Sequence, residues 1–335
     1  MIMSIRLGIV GMGRIGRQQL ACASQIEGLE IAAVVEPAGS DLSGVLDGSI
    51  RRYSRWEELV ADASLDAVSI CTPHHLHAAI ATAALNAGKH VLVEKPLAMT
   101  GDEARAVVEL AKERERVLMV ELTHRFYPPV MEAREMVTGG RVGTIYAVED
   151  RIVEPAGEQI RSWLTEKSLA GGGVALTNGI HMVDRVAAVT GRKLGFISGV
   201  AGYAGGLGDV EETAAMLLTA GDGIPVQLLA AWPRGVGGCD DELTIYGSKG
   251  TLRVWAWRGW RFEPLAAGEL AEQHDSYAPA DDSIEARVRV GVSGALREFV
   301  GAIEGHREPV PSAADVLAAQ ELIEQFYRHV RRVDG

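Results

Sequence analysis

Along the first 120 residues, short apolar runs alternate with stretches in which apolar side chains recur every three or four positions. The runs at 5–10, 31–35, 67–70, 91–93 and 117–120 are almost continuously apolar, broken only by Arg6 and Ser69, which predicts strands covered on both faces. Segments 14–26, 78–87 and 102–113 carry helical spacing between them. Strands separated by helices in this way predict a parallel sheet. Beyond residue 140 the rhythm changes. Runs at 144–153, 213–218, 226–232, 242–246 and 252–256 follow one another through glycine-containing turns, with "GDG" (221–223) and "GSKG" (247–250) where hairpin loops belong. A mostly antiparallel sheet is expected there. The segment "VPSAADVLAAQELIEQFYRHVRR" predicts a helix with Ser312 as its N-cap and basic residues in its last turn. The fold class is therefore α/β: a doubly wound parallel sheet over residues 1–122, then a second α/β domain over 123–335 built on a mostly antiparallel open sheet.

The first run leads directly into Gly11-Met12-Gly13-Arg14-Ile15-Gly16, a GxGxxG turn that opens a helix. The first glycine permits the tight turn, the second lets backbone approach a pyrophosphate, and the third lets helix and strand pack closely. The helix N-terminus supplies amide donors for the anion. Twenty residues after Gly16, the second run ends in Glu36, where a carboxylate can accept hydrogen bonds from an adenosine ribose. Alone, the glycine turn is a weak signal; together with Glu36 it makes a dinucleotide the expected ligand. A carboxylate at 36 repels a 2′-phosphate and "EPAGS" offers no adjacent arginine, so NAD is expected over NADP.

Composition narrows the partners. Of 335 residues, 45 are acidic and 33 basic, a net charge of −12, and no lysine or arginine run forms a stripe. Nucleic acid and anionic membrane are therefore not expected partners. Three cysteines, Cys22, Cys71 and Cys239, lie far apart, so neither a disulfide framework nor a zinc cage is indicated. With no signal-peptide pattern and no apolar run of about 20 residues, a cytoplasmic protein is expected.

The run at 91–93 ends in Glu94-Lys95-Pro96. Ligands of a doubly wound sheet sit at the carboxyl ends of its strands, so Lys95 belongs on the same edge as the glycine turn. "CTPHHLH" (71–77) follows another strand to that edge. Hydride transfer from a carbinol carbon releases the hydroxyl proton, which needs a base within reach. A lysine beside a cationic ring is pushed towards its neutral form, and Glu94 opposes that shift. The plainer alternative is a surface lysine paired with Glu94; only six lysines occur in the chain. His181 follows the glycine run "LAGGG" and begins the apolar segment "IHMVDRVAAV", and imidazole titrates near neutrality. It reads as the second proton-handling group, or as a histidine that holds the start of a helix.

"GMGRIG", "TPHHLH", "AGKHVLVEKPLA", "GGGVALTNGIHMVD" and "FVGAIEGHREPVPS" together resemble the glucose-fructose oxidoreductase, inositol dehydrogenase and rhizopine-catabolism (Gfo/Idh/MocA) family, nearly end to end. The resemblance implies an NAD(P)-dependent oxidoreductase with a Rossmann domain and an α/β domain. It implies that the sheet of the second domain carries the substrate and joins copies into a homodimer or homotetramer. It implies that Lys95 contacts nicotinamide ribose and substrate hydroxyl, and that Thr72, Pro73, His74 and His77 form a cofactor loop, with His74 in place of the usual asparagine. It further implies that Arg125 of "THRF" lies near the nicotinamide and that the peptide before Pro96 is cis. One position departs: relatives that oxidise polyols carry an aspartate four residues before the histidine, where this chain has Thr177, followed by Asn178. A threonine orients an imidazole but cannot compensate its cation, so His181 is expected to be a poorer base. Thr177 and Asn178, with Arg161 and Trp163 of "RSWLTEKS", are the expected substrate contacts, although a surface arginine beside a packed tryptophan reads equally well.

Three functions follow as expectations. The first is an NAD(H)-dependent dehydrogenase or reductase of a sugar, cyclitol or related hydroxylated molecule. The others are a dihydrodiol-type dehydrogenase or non-sugar reductase, and a non-catalytic cofactor-sensing regulator. No metal is expected: His74, His75 and His77 could not all face one ion, and no carboxylate cluster accompanies them. The tryptophans at 255, 257 and 260 are expected to share one strand.

Overall fold

The structure is a computed structural model that describes residues 4–36, 48–156, 160, 162–203, 205–234, 239–276 and 283–333. The chain forms two compact units, Met1–Thr123 with Ile284–Leu317 and His124–Ser283 with Ala318–Gly335.

The first unit begins β1 (Ile5–Val10), α1 (Arg14–Ala23), β2 (Leu29–Val35), β3 (Arg51–Tyr53), α2 (Trp56–Val60), β4 (Ala67–Ile70), α3 (His77–Asn86), β5 (His90–Glu94), α4 (Gly101–Glu113) and β6 (Leu118–Glu121). The six strands are parallel in the order β3-β2-β1-β4-β5-β6. Chain direction across the sheet reverses between β1 and β4, the switch point at which ligands of this topology bind. Apolar side chains line β1, β4 and β5, and Leu7, Ile9, Val68, Ile70 and Val91 to Val93 are fully buried. α4 starts at a reciprocal cap, with Thr100 Oγ1 accepting from the Glu103 amide and Glu103 Oε2 accepting from the Thr100 amide.

The second unit begins α5 (Pro128–Thr138), β7 (Ile145–Val153), α6 (Lys167–Ala170), α7 (Ile180–Thr190), β8 (Leu194–Gly202), β9 (Thr213–Ala220), β10 (Ile224–Ala231), β11 (Asp240–Gly247), β12 (Gly250–Trp255), β13 (Gly259–Pro264) and β14 (Glu272–His274). The chain closes with α8 (Ile284–Glu304), α9 (Ala313–His329) and β15 (Arg331–Val333). The second sheet runs β14-β13-β12-β11-β7-β10-β9-β8-β15, antiparallel except where β7 meets β10 and β8 meets β15. Period-two burial along β9 and β10 turns Ala214, Met216, Leu218, Val226, Leu228 and Ala230 to the core.

Three expectations change. The division of the chain is not one cut near residue 122, because 284–317 belong to the first unit, where α8 packs on α1. Leu296 and Phe299 of α8 are fully buried, each worth about 1.5–3 kcal/mol of transfer. Strand β3 was not foreseen, and the tryptophans do not share a strand. Trp255 ends β12, Trp257 lies in the turn and Trp260 stands on β13. A strand needs a break to turn back, and 256–258 supply it. Among the described residues, no helix is long and apolar enough to cross a membrane.

Candidate functional site

The glycine turn is shaped by its neighbours. Gly11 has φ +97°, and a Cβ there would stand 2.6 Å from the Cys71 carbonyl oxygen. Only glycine tolerates both the dihedral and the approach. A Cβ on Gly16 would collide with the carbonyl oxygen of Gly11, so helix and turn are packed backbone to backbone. α1 starts after Gly13 with no side-chain cap and no acid in its first turn, which leaves its first amides open to an anion. Glu36 accepts the Met12 amide at 2.8 Å, so its carboxylate stands on the glycine turn itself. Residues 37–40 lie outside the described residues.

The loop after β4 closes the same edge. Pro73 precedes a 3₁₀ turn over His74–Leu76. Thr72 Oγ1 is buried without a partner, a donor and acceptor suited to a ligand hydroxyl or amide. His77 is fully buried, its Nδ1 2.7 Å from the Pro96 carbonyl oxygen and its Nε2 2.9 Å from that of Thr72. Burial lowers the His77 pKa while the two carbonyls oppose the shift. His77 thus ties the Thr72 loop to Pro96, its neutral ring donating to one of the two carbonyls at a time. His74, also buried, meets His77 edge to face at 5.6 Å.

Lys95 follows β5, half-buried, and its amide donates to Glu94 Oε2 at 2.9 Å. The Lys95–Pro96 peptide is cis. In register with Glu94 on the neighbouring strand stands Glu121, which is fully buried. Ser69 Oγ donates to Gln19 Oε1 at 2.6 Å, Gln19 Nε2 donates to Glu121 Oε2 at 2.8 Å, and Glu121 Oε1 has no partner. Burial first, then the Glu94 carboxylate, hold Glu121 well above the ordinary carboxylate range, with Gln19 acting the other way. The sequence did not reveal this raised acid, because it closes an otherwise apolar strand.

In the second unit, Glu211 builds the segment that carries His181. It is buried, and its carboxylate accepts from the amides of Gly173 and Ala175 and from Tyr327 Oη at 2.7 Å. With those first amides satisfied, helical structure begins before α7, as a π turn over Ala175–Gly179. His181 is the second residue of α7, which spans the segment read from the sequence, and the π turn leads into it. Thr177 and Asn178 lie on the π turn. Asn178 donates to Glu154 Oε2 at 3.1 Å and accepts from Trp232 Nε1 at 2.9 Å. Glu154 and Trp232, which follow the ends of β7 and β10, were missed; their one signal is a polar or amphipathic residue after an apolar run.

The imidazole of His181 stacks on His124, with centroids 4.4 Å apart and planes 14° from parallel. Arg185, one turn further along α7, is 1% exposed. Its Nε donates to Asp150 Oδ2 at 2.8 Å, its Nη2 to Asp150 Oδ1, and its Nη1 to Asp241 Oδ1 at 2.5 Å. Nη1 also reaches His124 Nδ1 at 3.4 Å. Burial raises Asp150 to about 6 against the pull of Arg185, and Asp241 pushes it the same way as burial. Arg125 grips Asp184 through Nε and Nη2 at 2.6–3.0 Å. Trp163 is half-buried in a 3₁₀ turn over Ser162–Thr165, and Arg161 lies outside the described residues. Among the described residues, no group of three or more His, Cys, Asp or Glu is placed to hold a metal.

Two family models match. The model described as "Oxidoreductase family, NAD-binding Rossmann fold" covers residues 5–122, and the one described as "GFO/IDH/MocA C-terminal domain" covers 130–253. The chain belongs to the Gfo/Idh/MocA family. An inositol 2-dehydrogenase of Rhizobium meliloti is 27% identical over 98% of this chain and 97% of its own. A levoglucosan dehydrogenase of Pseudarthrobacter phenanthrenivorans is 32% identical over 54% of this chain and 50% of its own. The crystal structure of an oxidoreductase domain protein from Kribbella flavida superposes with a TM-score of 0.85 at 25% identity, over 97% of this chain and 96% of that one. The family member described here is an NAD(P)-dependent oxidoreductase, and the glycine cradle, the uncapped α1, Glu36 and the open hydroxyl of Thr72 fit a dinucleotide.

Proposed function

We propose that this oxidoreductase transfers a hydride between NAD and a carbinol or ketone of a sugar, cyclitol or related hydroxylated small molecule, with Lys95 and His181 handling the proton. The observation that carries this reading is the place of Lys95: a half-buried lysine at the carboxyl end of β5, joined through Pro96 and His77 to the loop of Thr72. The names of the relatives, an inositol and a levoglucosan dehydrogenase, support the substrate class.

Gly11 to Gly16 and the first amides of α1 bind the pyrophosphate. Glu36 accepts ribose hydroxyls and disfavours a 2′-phosphate, and Thr72, Pro73, His74 and Glu94 frame the rest of the cofactor. Bound NAD supplies the hydride acceptor, and its reduced form the donor. Lys95 takes the hydroxyl proton as the carbinol is oxidised and returns it in the reverse direction. His181 assists that exchange, while Asn178, Thr177 and Trp163 orient hydroxyls of the substrate. Lys95→Ala is expected to leave NADH affinity within a few-fold of wild type and to lower turnover by roughly 10²–10⁴-fold. Absorbance of the reduced nicotinamide, followed over a panel of cyclitols, aldoses and aromatic dihydrodiols, reads the turnover. Undiminished turnover on the best substrate sinks the assignment; a dihydrodiol as best substrate moves it to the second chemistry.

A further inference from the structure

We propose that His124 is the positioning residue for His181: a neutral imidazole, fixed as its Nε2–H tautomer by Arg185, whose face supports the cationic form of His181 where residue 177 offers no carboxylate. The inference deepens the proton-handling reading of His181 and rests on it for its catalytic meaning.

A guanidinium has N–H donors and no acceptor. Its approach to His124 Nδ1 at 3.4 Å therefore requires a lone pair on that nitrogen. A proton there would set two N–H groups against each other at a site where His124 is 7% exposed. Arg185 cannot swing aside, because Asp150 and Asp241 hold all three of its nitrogens. Tyr127 meets the His124 ring edge to face at 5.5 Å, and His181 covers it from a third direction. The ring is thus held in orientation and in protonation state.

Two imidazolium rings cannot stack 4.4 Å apart without strong repulsion. With His124 kept neutral, His181 is the member of the pair that takes a proton, and an aromatic face below a cation attracts it. The surrounding charges agree in sign. From α7 come Arg185 and Asp184, from the turn before α5 Arg125, from β7 Asp150 and from β11 Asp241. Two cations and three carboxylates leave one net negative charge once Asp150, raised to about 6, has ionised. Glu154, after β7, is engaged by Asn178, and α5 directs Glu132 to Trp260 and His274. The compensation that an aspartate at 177 would give through one contact is here supplied by a buried cluster acting through His124.

The test is a pH titration by NMR of the full chain labelled at histidine Cε1 and ring nitrogen, with His124→Phe and His181→Gln as assignment variants. The His124 signal is expected to show the Nε2–H tautomer and to stay fixed between about pH 5.5 and pH 8, while His181 titrates. In His124→Ala the His181 midpoint is expected to fall by roughly half to one and a half units. In His124→Phe, which keeps an aromatic face, the fall is smaller. A titrating His124, an Nδ1–H tautomer, or an unmoved His181 midpoint in a folded His124→Ala overturns the proposal. If His124→Ala does not fold, the wild-type tautomer and the His124→Phe midpoint decide. The acid limb of kcat/KM should move with the His181 midpoint. A midpoint that shifts as expected while His181→Gln retains full turnover refutes the catalytic reading and leaves the positioning of His181 standing.

Discussion

Arg185→Met tests the buried cluster most directly. The substitution keeps side-chain volume and removes the one cation that both Asp150 and Asp241 contact, where the two acids are 2% and 8% exposed. Breaking a buried ion pair from one side costs about 3–5 kcal/mol, because the remaining charge has neither water nor partner. A unit of this size shifts its melting temperature by about 2–4 °C per kcal/mol, so the variant should melt roughly 6–20 °C lower near neutrality. The loss has a pH signature. Asp150 sits at about 6 in the folded chain against an ordinary 3.8, with burial as the largest cause and Arg185 pulling it down. A raised acid gives its full stabilisation below the ordinary value and loses it as pH rises through the folded value. Without Arg185 that folded value moves higher and the window of loss extends upward. The gap between variant and wild type should therefore be wider at about pH 8 than at about pH 5. Circular-dichroism melts of both proteins, repeated at two scan rates, measure it. A shift under about 3 °C at the higher pH, or an equal gap at both, would refute the view that Arg185 sustains two buried carboxylates.

Two further outcomes follow from the first unit. Glu121 is raised by burial and by Glu94, so its contribution is present at acid pH and lost as pH climbs through the folded value. Glu121→Gln cannot ionise; its urea midpoint should match wild type near about pH 5 and exceed it near about pH 9. Glu36→Gln weakens a charge-assisted contact worth about 1.5–3 kcal/mol. NADH affinity, read by fluorescence titration, should fall roughly ten- to hundredfold while NADPH affinity falls less or rises.

Much of the first unit was legible because most of its strands are largely apolar runs and its glycine turn has a fixed spacing. β3 was not, since Arg51-Arg52-Tyr53 is short and polar and becomes a strand only by pairing with β2. The return of α8 to α1 was hidden for a different reason. Amphipathic spacing says that a helix has an apolar face but not which surface covers it. At the candidate site, Lys95, Glu36 and the glycines stand where strand-end logic puts them. His124 was noticed only as part of "THRF", and nothing in the chain's order joins it to His181, 57 positions later. The π turn was equally hidden, because it depends on Glu211 capping amides 36 and 38 residues before it.

The division of residues between the units bears on synthesis. Residues 1–123 hold all six parallel strands, yet the helix that covers α1 is encoded from residue 284 onward. At roughly 5–20 residues per second, α1 waits on the order of ten to fifty seconds with Cys22, which contacts Arg289 of α8, uncovered. Tyr327, which completes the Glu211 cap, arrives later still. Neither unit is therefore complete until translation has passed α8, and α1 keeps an open flank until then.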